Sequence, residues 1–172
     1  MGKVLSAFGN GFPGGVTRSI DNIIISMKNV SDVDIPFGAP VFISSDRSGV
    51  VPFDTTTPQE GTDFVGFAVR DPAKTPNEYP NAQFTEDNAA YNTGVWKPGE
   101  VIEILVRGAI ALKVSGTARR AGNVYIRKTD GVLSANAGSE GSTVQVPNAK
   151  VRNVRNGSSG CVEVQVLSRN LQ

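Results

Sequence analysis

Residues 96–116, WKPGEVIEILVRGAIALKVSG, are the most apolar stretch of the chain, with Gly108 at their middle. Read in steps of two, the even positions are Ile102, Ile104, Val106, Gly108, Ile110, Leu112 and Val114, while the odd positions include Glu103, Arg107 and Lys113. A period of two is the pattern of a half-buried strand. On a helix, Glu103 and Arg107 share a face, but that face continues into Ile110 and Val114, so the polar stripe fails after two turns. Pro98-Gly99 and Ser115-Gly116 bound the run as turns, and β-branched residues fill most of the even face. The pattern predicts one long strand, or two bent at Gly108, with the even face buried and the other face wetter. Gly108 keeps the parity of the even face. It therefore reads as a bare spot on the packed side, where the strand bends or a neighbouring aromatic fills the gap, and not as a register break.

The segments on either side extend this reading. NIIISM (22–27), PVFIS (40–44) and DFVGFAV (63–69) are short β-like runs, and nine of the ten prolines precede residue 99, which confines the first half to short strands and stiff connections. On the C-terminal side, Asp130-Gly131 and Asn156-Gly157 are hairpin turn signals, because Asp, Asn and Gly tolerate the positive φ that tight hairpins demand. The C-terminal half then reads as a meander of paired strands. With no long amphipathic helix, the chain is expected to be all-β: a single small sandwich or barrel-like domain spanning 20–172.

Two segments fall outside this pattern. SAFGNGFPGGVTRS (6–19) is glycine-rich and aperiodic, so residues 1–19 are expected to form an extended arm in which Phe8, Phe12 and Arg18 are candidate contacts. Folding of the two phenylalanines back onto the parent domain is the alternative. Residues 70–94 contain Pro72, Pro76 and Pro80 and lack periodicity; a stretch this long is expected to project as a functional insertion, with Tyr79, Phe84 and Tyr91 as candidate contacts. Trp96, the single tryptophan, reads either as a core cap or as an interface anchor.

Composition narrows the chemistry. The 172 residues carry a net charge of +1, which gives no reason to expect a nucleic-acid or membrane-surface binder. The distribution is uneven: residues 1–86 hold 6 Lys+Arg against 10 Asp+Glu, and residues 87–172 hold 11 against 6. Such asymmetry suits the steering of partners, with Arg119 and Arg120 among the candidate contacts, although two solvated faces would look the same. The sequence contains no histidine, which removes the commonest neutral-pH general base and every histidine triad. Cys161 stands alone, so no internal disulfide or multi-cysteine zinc site exists, and it reads as a core residue. Asp32-Val33-Asp34 offers two carboxylates without the spacing of a calcium loop. No phosphate-binding or nucleophile-elbow motif is present, and no metal or cofactor is expected. The N-terminus lacks a signal-like region, so synthesis in a reducing cytoplasm is expected, and the sequons at Asn29 and Asn156 carry no weight. An enzyme is the least favoured reading.

The order of motifs carries a resemblance. FVGFAVRDP, then YNTGVWKPGEVIEILVRGAIALKVSGTARRAGNVYI, TDGVLS, NAKVRN and CVEVQVL together resemble the head decoration, or structural cement, proteins of tailed bacteriophages over about residues 35–168. The resemblance implies a virion protein on the outer capsid surface. It would be a homotrimer that binds the major capsid protein and ties neighbouring capsid subunits against internal DNA pressure. A β-sandwich carbohydrate-binding module is the alternative, although one tryptophan and three tyrosines make a thin sugar platform.

Overall fold

The structure, a computed structural model, describes residues 11–57, 59–72, 94–154 and 161–168. Among these, eleven strands and one short 3-10 turn, Gly61–Asp63, account for the regular structure, so the chain is all-β as expected. The strands are β1 (Val16–Lys28), β2 (Ile35–Pro36), β3 (Pro40–Ile43), β4 (Val50–Pro52), β5 (Phe64–Ala68), β6 (Val95–Trp96), β7 (Val101–Lys113), β8 (Asn123–Arg127), β9 (Leu133–Ser134), β10 (Thr143–Asn153) and β11 (Cys161–Val166). A nine-stranded, curled sheet runs β4-β3-β5-β7-β11-β10-β8-β9 with β1 added beside β7, and β2-β6 form a small second sheet. β1 starts inside the stretch expected to be arm. Pairing of Val16 with Ile110 ties that part to the domain.

The spine of the sheet is β7, the run that decided the fold class. It pairs with β1 from Val101 to Ile110, with β5 at Ile104 and Leu105, and with β11 from Gly108 to Lys113. Every even residue from Ile102 to Leu112 is buried, but not in one core. Ile102, Ile104 and Val106 pack with Ile35, Val41, Val65 and Trp96, whereas Ile110, Leu112 and Val114 pack with Phe42, Phe64, Val151 and Val164. Leu105, at an odd position, belongs with the second group. Parity therefore changes across Gly108, which corrects the sequence expectation: the glycine is a register break, and odd residues Leu105, Ala109 and Ala111 are buried as well, leaving no uniformly wet face.

The cause is local. β1 places Arg18 opposite Ala109 and Ile23 opposite Arg107, so four of its residues, 19–22, face the single Gly108. The Ala109 N–H donates to Asn22 Oδ1 at 3.2 Å. Gly108 adopts φ +125°, and a Cβ there would lie 1.9 Å from Asn22 Oδ1. A bulge of this kind increases twist and lets one strand serve two packing layers. Gly66 does the same in β5: Phe64 and Phe67 join one core, Val65 and Ala68 the other, and a Cβ on Gly66 would lie 2.3 Å from the Leu105 oxygen. With both breaks in register, the sheet curls around the larger core, where Phe64 meets Phe67 and Phe42 edge-on at 5.2 and 5.8 Å between centroids. Each such buried aromatic contributes about 1.5–3 kcal/mol.

The C-terminal half is not the simple meander expected. β7 and β8 are neighbours in sequence yet do not pair; the last strand, β11, lies between β7 and β10. Burial explains the exchange. Val162, Val164 and Val166 supply a strand apolar enough for a central position, while β8 and β9 lie toward the sheet edge. The hairpin at Asp130-Gly131 is present, with β8 paired to β9 and Gly131 at φ +67°. β10 and β11 pair antiparallel, but the loop holding Asn156-Gly157 lies outside the described residues.

Candidate interaction surface

Residues 12–15 and the two ends of the 70–94 stretch meet at one common root. Phe37, buried just after β2, donates its N–H to the Gly94 oxygen at 3.0 Å, and its ring lies so close that a Cβ on Gly94 would sit 1.8 Å from it. Trp96 meets the same ring edge-on at 6.0 Å and donates its Nε1–H to the Val69 oxygen at 3.0 Å. The two ends of the insertion, Arg70 and Gly94, are thereby fastened to one aromatic pair. Trp96 is 5% exposed: of the two sequence readings, it occupies the core position.

The N-terminal segment passes through the same place. The Gly14 N–H donates to Ala111 O at 2.9 Å, Ala111 N–H to Gly15 O at 2.8 Å, and Arg70 N–H to Gly14 O at 2.8 Å. Gly14 and Gly38 both have positive φ, +77° and +76°, and a Cβ on either would lie 2.9 Å from the other's nitrogen. Only two glycines allow the backbones to approach this closely. The Arg70 guanidinium stands 4.9 Å from the Phe12 centroid and 5.8 Å from that of Phe37, a cation held over two rings. Burial pulls its pKa below the ordinary arginine value. Phe12 contacts Arg70 and keeps 39% exposure.

Next to this root runs an apolar groove of about 580 Å³, walled by Pro13, Pro36, Phe37, Pro40, Val132 and Leu133. A second, polar groove of about 620 Å³ lies between the β3–β4 turn and the 3-10 turn, with Asp46, Asp54 and Asp63 on its walls. Asp46 accepts from the Ser44 hydroxyl, the Ser48 hydroxyl and the Ser48 N–H at 2.7, 2.8 and 3.1 Å, and these bonds hold its carboxyl down at about 2.

The remaining candidates are dispersed. Arg119 and Arg120 are exposed in the turn before β8, and the Gly122 N–H closes that turn on Arg119 O at 2.9 Å. Arg18 lies in β1 with its backbone opposite Ala109. Phe8, Tyr79, Phe84 and Tyr91 lie outside the described residues. Asp34 pairs with Lys97 at 2.7 Å, and among the described residues no group of three metal-ligating side chains exists. Asn29 is fully buried, accepts from the Ser31 N–H and hydroxyl, and donates to Val33 O, which leaves its sequon enclosed. Cys161 is buried. The residues that sequence reasoning missed are Phe37, Gly38 and Arg70. The Phe-Gly pair in IPFGAPV was a visible turn signal, but nothing local marks its long-range contact with Gly14 and Gly94.

Comparison with known proteins follows the geometry. A search among curated proteins found no match. A solved structure described as "The capsid of Myoviridae Phage XM1" contains a chain of similar fold, with a TM-score of 0.67, 15% identity, and coverage of 95% of this chain and 94% of that one. The family model described as structural cement protein (E217 gp24/Pam3 gp6) matches residues 3–167, nearly the whole sequence, and the chain belongs to this phage structural cement family.

Proposed function

We propose that this capsid-associated structural protein acts on the outer surface of the assembled phage head, where it bridges neighbouring major capsid subunits as a homotrimer. The observation that carries this reading is the common root: Phe37, Arg70, Gly14 and Gly94 bring the start of the described chain together with the two ends of the 70–94 stretch. A bracing protein needs a stiff body to which its gripping segments are firmly anchored. The doubly packed β7 supplies the body, and the shared root fixes where residues 1–10 and the 70–94 stretch join it. Contacts of this class bury on the order of 1,200–2,000 Å² in total, part of which is offset by ordering of the arm. Trp96 sits in the core, which removes it from any sugar platform and weakens the carbohydrate-binding alternative.

The test is co-sedimentation with purified heads, with light scattering on the free protein. The full-length chain is expected to pellet with heads at a stoichiometry set by capsid symmetry. Failure to bind any head of its phage rejects the reading.

A further inference from the structure

β10 is hydrogen-bonded on both edges, to β8 and to β11, so a partner meets it through the side chains of its open face. Ala149 and Val151 turn into the larger core, and Lys150 and Arg152, alternating with them, stand on the opposite side. The turn before β8 is fastened there: the Ala121 N–H donates to Val151 O at 2.7 Å, and the Val151 N–H donates to Gly122 O at 2.9 Å. Arg119 and Arg120, both exposed, thus leave the chain beside Arg152. We propose that this corner docks on a carboxylate-bearing surface of the capsid shell, an inference that rests on reading the molecule as a head-binding protein. Three observations select that partner.

The first is uncompensated charge. Among the described residues, Arg119, Arg120 and Arg152 make no ion pair. The only acidic residue of β8, β10 and β11 is Glu163, which is 3% exposed and accepts from the Thr17 hydroxyl at 2.8 Å. Three guanidiniums gathered at one corner without a counter-charge favour a partner that supplies it.

The second is the direction of the hydrogen bonds beside them. Lys150 Nζ donates to Asn123 Oδ1, which fixes the amide so that Asn123 Nδ2 donates to the Tyr125 oxygen at 3.1 Å. The Tyr125 hydroxyl hydrogen is thereby turned toward an acceptor outside this pair. Arginine, lysine and tyrosine side chains here all offer hydrogen, so the face suits a partner rich in charged acceptors, carboxylates or phosphates.

The third decides between those two. Tyr125 is the only aromatic residue of β8, β10 and β11, whereas bound nucleic-acid single strands need successive rings on which to stack. A net charge of +1 gives the whole chain little attraction for a phosphate backbone. On a protein shell the charged acceptors are Asp and Glu side chains.

The experiment compares the full chain with the full-length variant Arg119→Gln, Arg120→Gln, Arg152→Gln in quantitative sedimentation with purified heads across a salt series. At about 50 mM salt the variant is expected to bind at least about tenfold more weakly, and at about 500 mM the difference should shrink below about threefold, because screening removes the charge contribution. Heads whose exposed carboxylates have been amidated with glycinamide should bind the two chains alike. Matching melting temperatures show that the variant is folded; otherwise the double variant Arg119→Gln, Arg120→Gln, altered only in an exposed turn, replaces it. Equal binding of the full chain and the folded variant to untreated heads overturns the proposal and leaves head binding intact. A difference that survives amidation also overturns it, as does tighter arginine-dependent binding to double-stranded DNA than to heads, which would give the face to phosphates. Failure of the unaltered chain to bind heads rejects the functional reading itself, and this proposal with it.

Discussion

Asn22 Oδ1 accepts the Ala109 N–H at 3.2 Å and fills the space in which a side chain at 108 would stand. This contact lets β7 serve two cores. Gly108→Val forces a β-branched residue to φ +125° and drives its Cβ into Asn22. Strain and overpacking together are expected to cost about 3 kcal/mol or more. Thermal denaturation should show the melting temperature falling by roughly 6–12 °C; an unchanged midpoint would mean that the strand crosses this point without the break.

The root cluster makes a separate prediction. Arg70→Ala removes the cation from above Phe12 and Phe37, at a cost of about 1 kcal/mol. Because the loss is confined to residues 12–15 and their partners, hydrogen exchange at the Gly14, Gly15 and Ala111 amides should accelerate several-fold while the other β7 amides keep their protection. Uniform acceleration across the sheet would show that Arg70 supports the core as a whole.

Trp96 distinguishes core from interface. Trp96→Phe leaves the Val69 oxygen without its Nε1–H donor, at about 1–3 kcal/mol, so the melting temperature should fall. Head binding below the melting transition should be unchanged. Reduced binding by a fully folded variant would place Trp96 in contact with the capsid.

Asp46 supplies a pH dependence. Its hydrogen bonds from Ser44 and Ser48 favour the carboxylate and hold its folded pKa at about 2, below the ordinary 3.8. A depressed folded pKa contributes stability that is complete above 3.8 and is lost as pH falls through about 2. An NMR titration of the Asp46 carboxyl should therefore have its midpoint near 2, with the 44–49 turn intact at pH 4. A midpoint at the ordinary value would show that the Ser44 and Ser48 bonds do not persist in solution.

The all-β class was readable from the sequence because alternation along 102–114 is a local signal that burial enforces residue by residue. The parity change at Gly108 was not, because the even residues are buried on both sides of it and only the identity of the core differs. Leu105, Ala109 and Ala111 at odd positions were the available hint that both faces are covered. The exchange of β8 for β11 beside β7 depends on pairs as far apart in sequence as Val166 and Gly108, which periodicity cannot register. At the candidate surface, the glycine-rich 6–19 and proline-rich 70–94 stretches stood out by composition. Their common root was not, since Gly14, Phe37, Arg70 and Gly94 are scattered along the chain and meet only in the fold.

The central claim is that arm and body together clamp the head, and quantitative sedimentation with purified heads of a chain lacking residues 1–10 tests it most directly. That variant retains the Gly14 bonds and β1, so its melting temperature should match the full chain. Its affinity for heads should fall at least about tenfold, or roughly 1.4 kcal/mol. Equal binding by the truncated and full-length chains would contradict the account.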